Sequence, residues 1–292
     1  MHKLLIKTRE RDATADPFVL LHDGYYYHTY TNANGVYVSK TDDLNKLADA
    51  EATLVYAKKE HEMRPWYAPE IWYLDGAWYI YVAPDYGDSF HNMTVLKYEG
   101  DTPVGQYENL GMMGGLENEW SIDGTVLEHE GKRYFIWTKC SEMYMAEMSD
   151  PTHIKGKIIT LAHPEYDWEL KTGLVNEGAA VIKKGNKTHI IYSANDSKTD
   201  EYCLGCLTFT GGDVMDPNNW VKSPEPLFEK TDKVFGPGHC SFTKVVEDGV
   251  EKDCMVYHAN LISGSGWAGR NVFAKTIDWD ENDMPILGKP EI

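Results

Sequence analysis

Three carboxylic acids in this sequence hold the same place in a repeated pattern. Asp16, Asp123 and Glu177 each stand eight residues before a turn glycine, Gly24, Gly131 and Gly185 respectively. Glu70 stands six before Gly76, and His239 ten before Gly249. The acids sit within or beside apolar runs, in Ala15-Asp16-Pro17, Ser121-Ile122-Asp123-Gly124 and Asn176-Glu177-Gly178. Burial of a carboxylate in such a run is costly unless the group is used. An isolated acid at a strand end caps a turn or binds calcium; acids that recur at one offset converge if the strands carrying them are equivalent. Converging carboxylates divide proton duties when their surroundings push their pKa values apart, one serving as base and another staying protonated as acid. That division suits hydrolysis of a glycosidic bond. Carboxyl pairs about 5–5.5 Å apart favour a covalent intermediate, and pairs about 6.5–9.5 Å apart leave room for a water and invert the anomeric centre.

The elements that must position these acids follow from the turns. Asp23-Gly24, Asp75-Gly76, Glu130-Gly131, Lys184-Gly185 and Asp248-Gly249 each join two short runs, and their glycines are separated by 52, 55, 54 and 64 residues. Third strands are expected at Val36–Leu44, Val95–Tyr98, Tyr144–Pro151 and Cys203–Leu207, and Asp-Pro, Asn-Asn and Gly-Gly clusters end the units. The pattern predicts an all-β fold, a five-bladed β-propeller whose repeats begin near residue 13 and whose innermost strands bring the acids to a central channel. Only residues 44–52 offer a short helix. The 19 Tyr and 9 Trp suit the packing of sheet on sheet. With no linker or low-complexity segment in view, residues 1–292 are expected to form one domain.

Composition narrows the partners. There are 46 acidic and 28 basic side chains, a net charge of −18. Polyanions are repelled by such a surface, so neither nucleic acid nor an anionic membrane is expected as a partner. The first residues contain only three consecutive apolar positions, Leu4-Leu5-Ile6, and no later stretch approaches a membrane span. Five cysteines suit a reducing compartment better than a disulfide framework. The expectation is a cytoplasmic protein, or a secreted one if a leader has been removed. Cys203-Leu-Gly-Cys206 has the spacing of zinc and redox sites but lacks a second pair, and buried structural thiols are expected there.

Ala15-Asp16-Pro17-Phe18, Trp66-Tyr-Ala-Pro-Glu70-Ile, Ser121-Ile-Asp123-Gly-Thr, Asn176-Glu177-Gly-Ala-Ala and Gly236-Pro-Gly-His239, in this order along essentially the whole chain, resemble glycoside hydrolase family 43. Tyr166-Asp-Trp, Asp216-Pro-Asn-Asn-Trp220 and Lys222-Ser-Pro-Glu-Pro resemble its exo-acting α-L-arabinofuranosidases. The resemblance implies an inverting enzyme in which Asp16 is the general base, Glu177 the general acid, and Asp123 the acid that keeps the pKa of Glu177 high and orients it. It implies that His239 holds a hydrated calcium ion or a water cluster in the channel, and that Arg270 steadies the acids and bonds a sugar hydroxyl. Glu70, taken as the equivalent second-blade acid, and Trp66 are expected to help bind the sugar. No organic cofactor is implied. Cys240 stands where many relatives have Asn, and Phe273 where a second Arg is common; both are expected to alter the metal site or the accepted sugar. The implied substrate is an arabinose- or xylose-containing oligo- or polysaccharide. Removal of terminal α-L-arabinofuranose from arabinan leads, with a β-D-xylosidase or endo-arabinanase on the same fold as alternatives. A non-catalytic carbohydrate- or protein-binding propeller is the rival of another class, although it would have no use for the proton donor Glu177. A sucrose- or fructan-cleaving propeller, which retains configuration, is a third.

Overall fold

The structure, a computed structural model, describes residues 1–8, 14–59 and 65–291. Residue 13, where the repeats were expected to begin, lies outside the described residues. Among those described, five four-stranded antiparallel sheets form five blades. The first has strands Phe18–His22, Tyr25–Asn32, Gly35–Thr41 and Glu51–Ala57, and the second Trp66–Leu74, Ala77–Pro84, Thr94–Tyr98 and Glu108–Met112. The third has Ile122–His129, Lys132–Lys139, Glu142–Asp150 and His153–Ala162, and the fourth Asn176–Lys184, Lys187–Ala194, Cys203–Phe209 and Trp220–Lys222. The fifth contains Phe235–Glu247, Val250–Asn260 and Arg270–Thr276. Its outer strand is His2–Ile6, paired antiparallel to Arg270–Thr276 with His2 opposite Lys275. The ring is thus closed by hydrogen bonds between residues from both ends of the sequence, a pairing that also covers the exposed edge of the last blade.

The first strands of neighbouring blades touch one another all round the ring, so they are the innermost strands. Each joins the second strand through a tight turn. Asp23-Gly24, Asp75-Gly76, Glu130-Gly131 and Asp248-Gly249 are two-residue loops with φ positive at both positions, the conformation that Asp-Gly and its analogues favour because it matches the twist of a hairpin. Blade four differs. Lys184 pairs with Lys187, so its loop is Gly185-Asn186, and Gly185 takes the place that Asp or Glu occupies in the other turns.

Five hydrophobic clusters hold the ring together, one between each pair of adjacent blades. Strand alternation feeds them: Ile190, Tyr192 and Ala194 face blade three, whereas Ile191 between them faces blade five. Burial of a side chain such as Phe135, fully enclosed between blades two and three, contributes about 1.5–3 kcal/mol. Cys203 and Cys206 fall in the clusters on opposite faces of blade four. Three residues apart on one strand, they point away from each other and do not share a metal. Burial pushes both thiols up to about 12, as befits inert core groups.

The helix expected over residues 44–52 is a 3-10 helix, Leu44–Asp49, capped by the Asp43 side chain on the Asn45 N–H. Residues 51 and 52 instead join the strand Glu51–Ala57, because the outer edge of blade one pairs Lys40 with Glu51. No helix among the described residues is long and apolar enough to cross a membrane.

Candidate active site

A bulge near one end of the inner strands gathers the functional side chains. In blades two to five the ladder slips so that two residues oppose one: between Tyr67 and Glu70, Ile122 and Thr125, Glu177 and Ala180, and Gly238 and Ser241. At each bulge one residue is left-handed, with φ of 43° at Ala68, 55° at Asp123, 61° at Gly178 and 45° at His239, and Asp16 has 46° just before the first strand of blade one. A non-glycine residue in that region costs on the order of 1–3 kcal/mol and persists where the surroundings enforce it. Bulges re-aim side chains. Here they bring Asp123, Glu177 and His239 together with Asp16, at the start of blade one, in one pocket of about 310 Å³, walled also by Tyr67, Trp66, Arg270 and Trp267.

The bulges also correct the sequence alignment. The residue in blade two that matches Asp16 and Asp123 is Ala68, not Glu70. Because the blade-four turn is shifted by one residue, Gly178 rather than Glu177 matches Asp123, and Glu177 stands one place earlier on its strand. Glu70, two residues past its bulge, does not line the acid pocket. It borders a separate cavity of about 380 Å³ along the inner strands, with Thr125, Trp72, Phe18 and Phe242. There it accepts a hydrogen bond from Trp72 Nε1 at 3.0 Å, and burial pushes its carboxyl up to about 8 against the hydrogen bonds of Thr125 and Trp72. That position removes Glu70 from direct contact with a sugar in the acid pocket.

Each acid has its own setting. Asp16 Oδ1 faces three nitrogens: His239 Nδ1 at 3.3 Å, Arg270 Nη1 at 3.4 Å and His258 Nδ1 at 3.5 Å. Its N–H donates to His258 Nδ1 over 3.2 Å, which places the proton of that neutral imidazole on Nε2. Burial, then the charge of Arg270, holds His258 well below the ordinary histidine range. His239 is lowered by burial, opposed by Asp16. Asp123 is buried and accepts a hydrogen bond from the Gly178 N–H at 3.1 Å, so it is tied to the backbone directly after Glu177. Burial, then the charges of Glu177 and Asp16, raise Asp123 well above the usual carboxylate range. Glu177 accepts a hydrogen bond from Tyr202 Oη at 2.7 Å. Burial and the charge of Asp16 push it up to about 7, against the pull of Tyr202 and Arg270. The pocket therefore holds one acid among cationic and neutral nitrogens and a buried pair that binds protons more tightly than ordinary carboxyls do.

Trp66 lines the pocket but is 5% exposed and stacked on Tyr56 at 5.5 Å, so only part of it meets the cavity. Arg270 combines its contact to Asp16 with a position 5.8 Å from the Trp267 ring centre. Three contributors escaped the sequence reading. Tyr202 looks like any blade aromatic in sequence. His258 is a polar residue within the apolar run Met255–Ala259, a usable signal. Trp267 is an indole in a glycine-rich loop with no core to fill; it is 49% exposed and pinned through Nε1 to Ser197 Oγ at 3.0 Å. Gly238 explains part of its motif: a Cβ there would lie 2.2 Å from Tyr202 Cε1, so only glycine lets the tyrosine ring reach Glu177. Cys240 and Phe273 are buried together in the cluster between blades four and five and do not line the pocket, so neither meets a ligand there directly.

The donors fit calcium poorly. Among the described residues no three His, Cys, Asp or Glu side chains surround a common point. Calcium prefers oxygen, whereas His239 presents an imidazole nitrogen whose nearest carboxylate, Asp16, already faces Arg270.

A five-bladed propeller with three carboxylic acids and an arginine in one pocket defines the class as a carbohydrate-cleaving hydrolase fold. Residues 11–285 match the family model described as Glycosyl hydrolases family 43, and the chain belongs to that family. The extracellular exo-α-(1→5)-L-arabinofuranosidase of Streptomyces chartreusis is 35% identical over 264 residues, 84% of this chain and 79% of the relative. The α-L-arabinofuranosidase 43 of Humicola insolens is 33% identical over 301 residues, 94% of this chain; the match spans 62% of that longer protein. The crystal structure of an α-L-arabinofuranosidase from Lactobacillus brevis superposes with a TM-score of 0.87 at 30% identity, covering 98% of this chain and 97% of that one.

Proposed function

We propose that this protein is an inverting exo-glycosidase that removes terminal α-L-arabinofuranosyl residues from arabinan or arabino-oligosaccharides. The observation that carries the reading is the convergence of Asp16, Asp123 and Glu177 on one small pocket. At about 310 Å³ it is at the lower end of ligand sites, suited to one terminal sugar ring rather than to a long chain. Relatives named for exo-acting arabinofuranosidase activity support the choice of sugar.

In this scheme Asp16, its carboxylate faced by Arg270 and His239 and its backbone N–H held by His258, takes a proton from the attacking water. The oxygen of that water bonds the anomeric carbon from the face opposite the leaving group. Glu177 gives its proton to the glycosidic oxygen as the bond to the anomeric carbon breaks. Asp123, close enough to feel the charge of Glu177 and bonded to Gly178, keeps the acid protonated and fixes its backbone. No step is routed through a metal. Activity after exhaustive EDTA treatment tests whether a calcium ion near His239 is needed.

The decisive experiment compares hydrolysis of 4-nitrophenyl α-L-arabinofuranoside with that of the β-D-xyloside, using wild type and Glu177→Ala. The expected result is preference for the arabinofuranoside over the xyloside, with cleavage of arabino-oligosaccharides and arabinan, whose departing oxygen needs a proton, lost in Glu177→Ala. Preference for the xyloside would move the substrate, mainly long products from arabinan would make the enzyme endo-acting, and no cleavage by wild type, with sugar binding unaltered in Glu177→Ala, would leave a binding propeller. NMR of the first-formed anomer separates inversion from a retaining scheme.

A further inference from the structure

Glu177 occupies a weak point of its strand. The next residue, Gly178, opens the bulge, so the regular ladder cannot hold the acid from that side. Support must come from the preceding residue, and Asn176 is held with unusual completeness. It is wholly buried, and its N–H donates to Ser141 O of blade three at 2.9 Å. Its side-chain Nδ2 donates to Glu169 Oε1 at 2.9 Å, and its Oδ1 accepts from Lys222 Nζ at 3.1 Å. Both ends of one amide are thus gripped by an ion pair.

That pair is deeply enclosed. Glu169 is 0% exposed and Lys222 8%. Lys222 Nζ reaches both oxygens of Glu169, at 3.0 and 3.1 Å, and also His163 O at 2.6 Å. Glu169 ends a one-turn 3-10 helix, Asp167–Glu169, and accepts from the N–H groups of Glu165 and Tyr166 at 2.9 and 3.0 Å and from Tyr192 Oη at 2.9 Å. The network therefore ties the loop after blade three to the first, second and outer strands of blade four. A buried pair of this kind adds little stability over well-packed apolar residues of similar volume. What it supplies is direction: three fixed partners, Ser141 O, Glu169 and Lys222, define where Asn176 sits, and strand alternation then sends the next side chain, Glu177, toward the pocket.

We infer that the Lys222–Glu169 pair positions the proton donor, acting through Asn176. The inference rests on the reading of Glu177 as general acid. Lys222 also meets Glu165 Oε1 at 3.5 Å, and neither Lys222 nor Glu169 is among the leading causes of the raised pKa of Glu177, so the pair acts on Glu177 by placement. Glu169, Lys222 and Asn176 touch no substrate in this arrangement and are positioning residues.

The test exploits leaving-group chemistry. Cleavage of α-1,5-linked arabinobiose needs a proton on the departing oxygen, whereas 4-nitrophenolate leaves with little help. Asn176→Ala removes the link while leaving the pair its other partners. It should lower kcat on arabinobiose by about 10²-fold, the scale of a small misplacement, and change kcat on 4-nitrophenyl arabinofuranoside by less than roughly threefold, with KM held in both cases. Equal losses on the two substrates, or none on either, would overturn the proposal. If Asn176→Ala does not fold by thermal melting, the paired Glu169→Gln/Lys222→Met variant, which removes both charges together, gives the same two readings. Glu177→Ala runs alongside. If it shows no leaving-group dependence, the assignment of the acid itself fails; if it shows the dependence and the Asn176 variant does not, only the positioning role fails.

Discussion

Tyr202 donates its phenolic hydrogen to Glu177 Oε1 over 2.7 Å, while its ring lies parallel to His258 with centroids 5.8 Å apart. One side chain thus touches the proposed acid and the histidine beside the proposed base. The hydrogen bond favours the charged form of Glu177 and works against the burial that raises it to about 7. Tyr202→Phe removes this pull, so the pKa of Glu177 rises and the basic limb of the kcat/KM profile moves to higher pH. A hydrogen bond to a charged group is worth about 1.5–3 kcal/mol, which sets a shift of about one to two pH units. Arabinofuranoside hydrolysis measured from pH 5 to 10 reads the change, and a limb that stays in place or moves down would refute the role given to Tyr202.

Asp123→Asn has the opposite sign. The charge of Glu177 raises Asp123, and by the same coupling a charge on Asp123 would raise Glu177. If a charge on Asp123 keeps Glu177 protonated, as the proposed scheme has it, a neutral amide at 123 lets Glu177 lose its proton more easily, and the basic limb moves to lower pH than in wild type. The Gly178 N–H keeps an oxygen acceptor in the amide, so the backbone tie survives. A drop in kcat with KM little changed is expected together with the shifted limb. A profile identical to wild type would show that Asp123 does not tune the acid.

The propeller and its convergent acids were legible because both are written in repetition. Turn glycines at near-constant spacing marked the blades, and residues before them marked the inner strands. The finer geometry was not legible, because it depends on where each bulge falls. Glu177 and Asp123 share an offset from their glycines, but the Gly185-Asn186 loop shifts blade four by one residue. Glu70, six residues before its glycine, is the expected second-blade equivalent with a sugar-binding role, yet the bulge of that blade centres on Ala68. The outer strand of the last blade, His2–Ile6, carried no repeat signal, since it lies beyond the first turn and pairs with residues more than 260 positions away. Tyr202 and Trp267 were hidden for another reason. Among many aromatics that fill the spaces between blades, nothing local marks the one that lines the pocket or the one that bonds Glu177.

Trp267 gives a prediction about binding. It lines the pocket, is half exposed and is held by Ser197 and by Lys198, whose Nζ lies 4.4 Å from the ring centre. The flanking loop is fixed to blade four by the Gly264 N–H on Asp200 Oδ1 at 2.9 Å. An indole placed this way contributes contact to substrate in the ground state and transition state alike. Trp267→Ala should therefore raise KM for arabino-oligosaccharides by about tenfold while kcat changes little, the signature of lost uniform binding. A fall in kcat at constant KM would instead place Trp267 in the transition-state machinery.

Glu70 offers a test that does not depend on the reaction. Its carboxyl is raised by burial from an ordinary 4.5 to about 8. Between those two pH values the folded protein holds a proton that the unfolded chain has released. The folded state then binds more protons than the unfolded one, and stability falls as pH rises through that window. Below about 4.5 the group is protonated in both states and contributes no such slope. Glu70→Gln keeps a hydrogen-bonding side chain of the same size, with an oxygen to accept from Trp72 Nε1, but nothing to ionise. The variant should melt at a temperature near wild type at pH 5 and above wild type at pH 8, by a few degrees, flattening the decline of stability across neutral pH. Asp123 and Glu177 leave a residual slope of the same sign, because they too are raised. If the melting curves of wild type and Glu70→Gln stayed parallel from pH 5 to 8, Glu70 would not be the group that titrates there, and the far cavity would have to hold its carboxylate charged at an ordinary pKa.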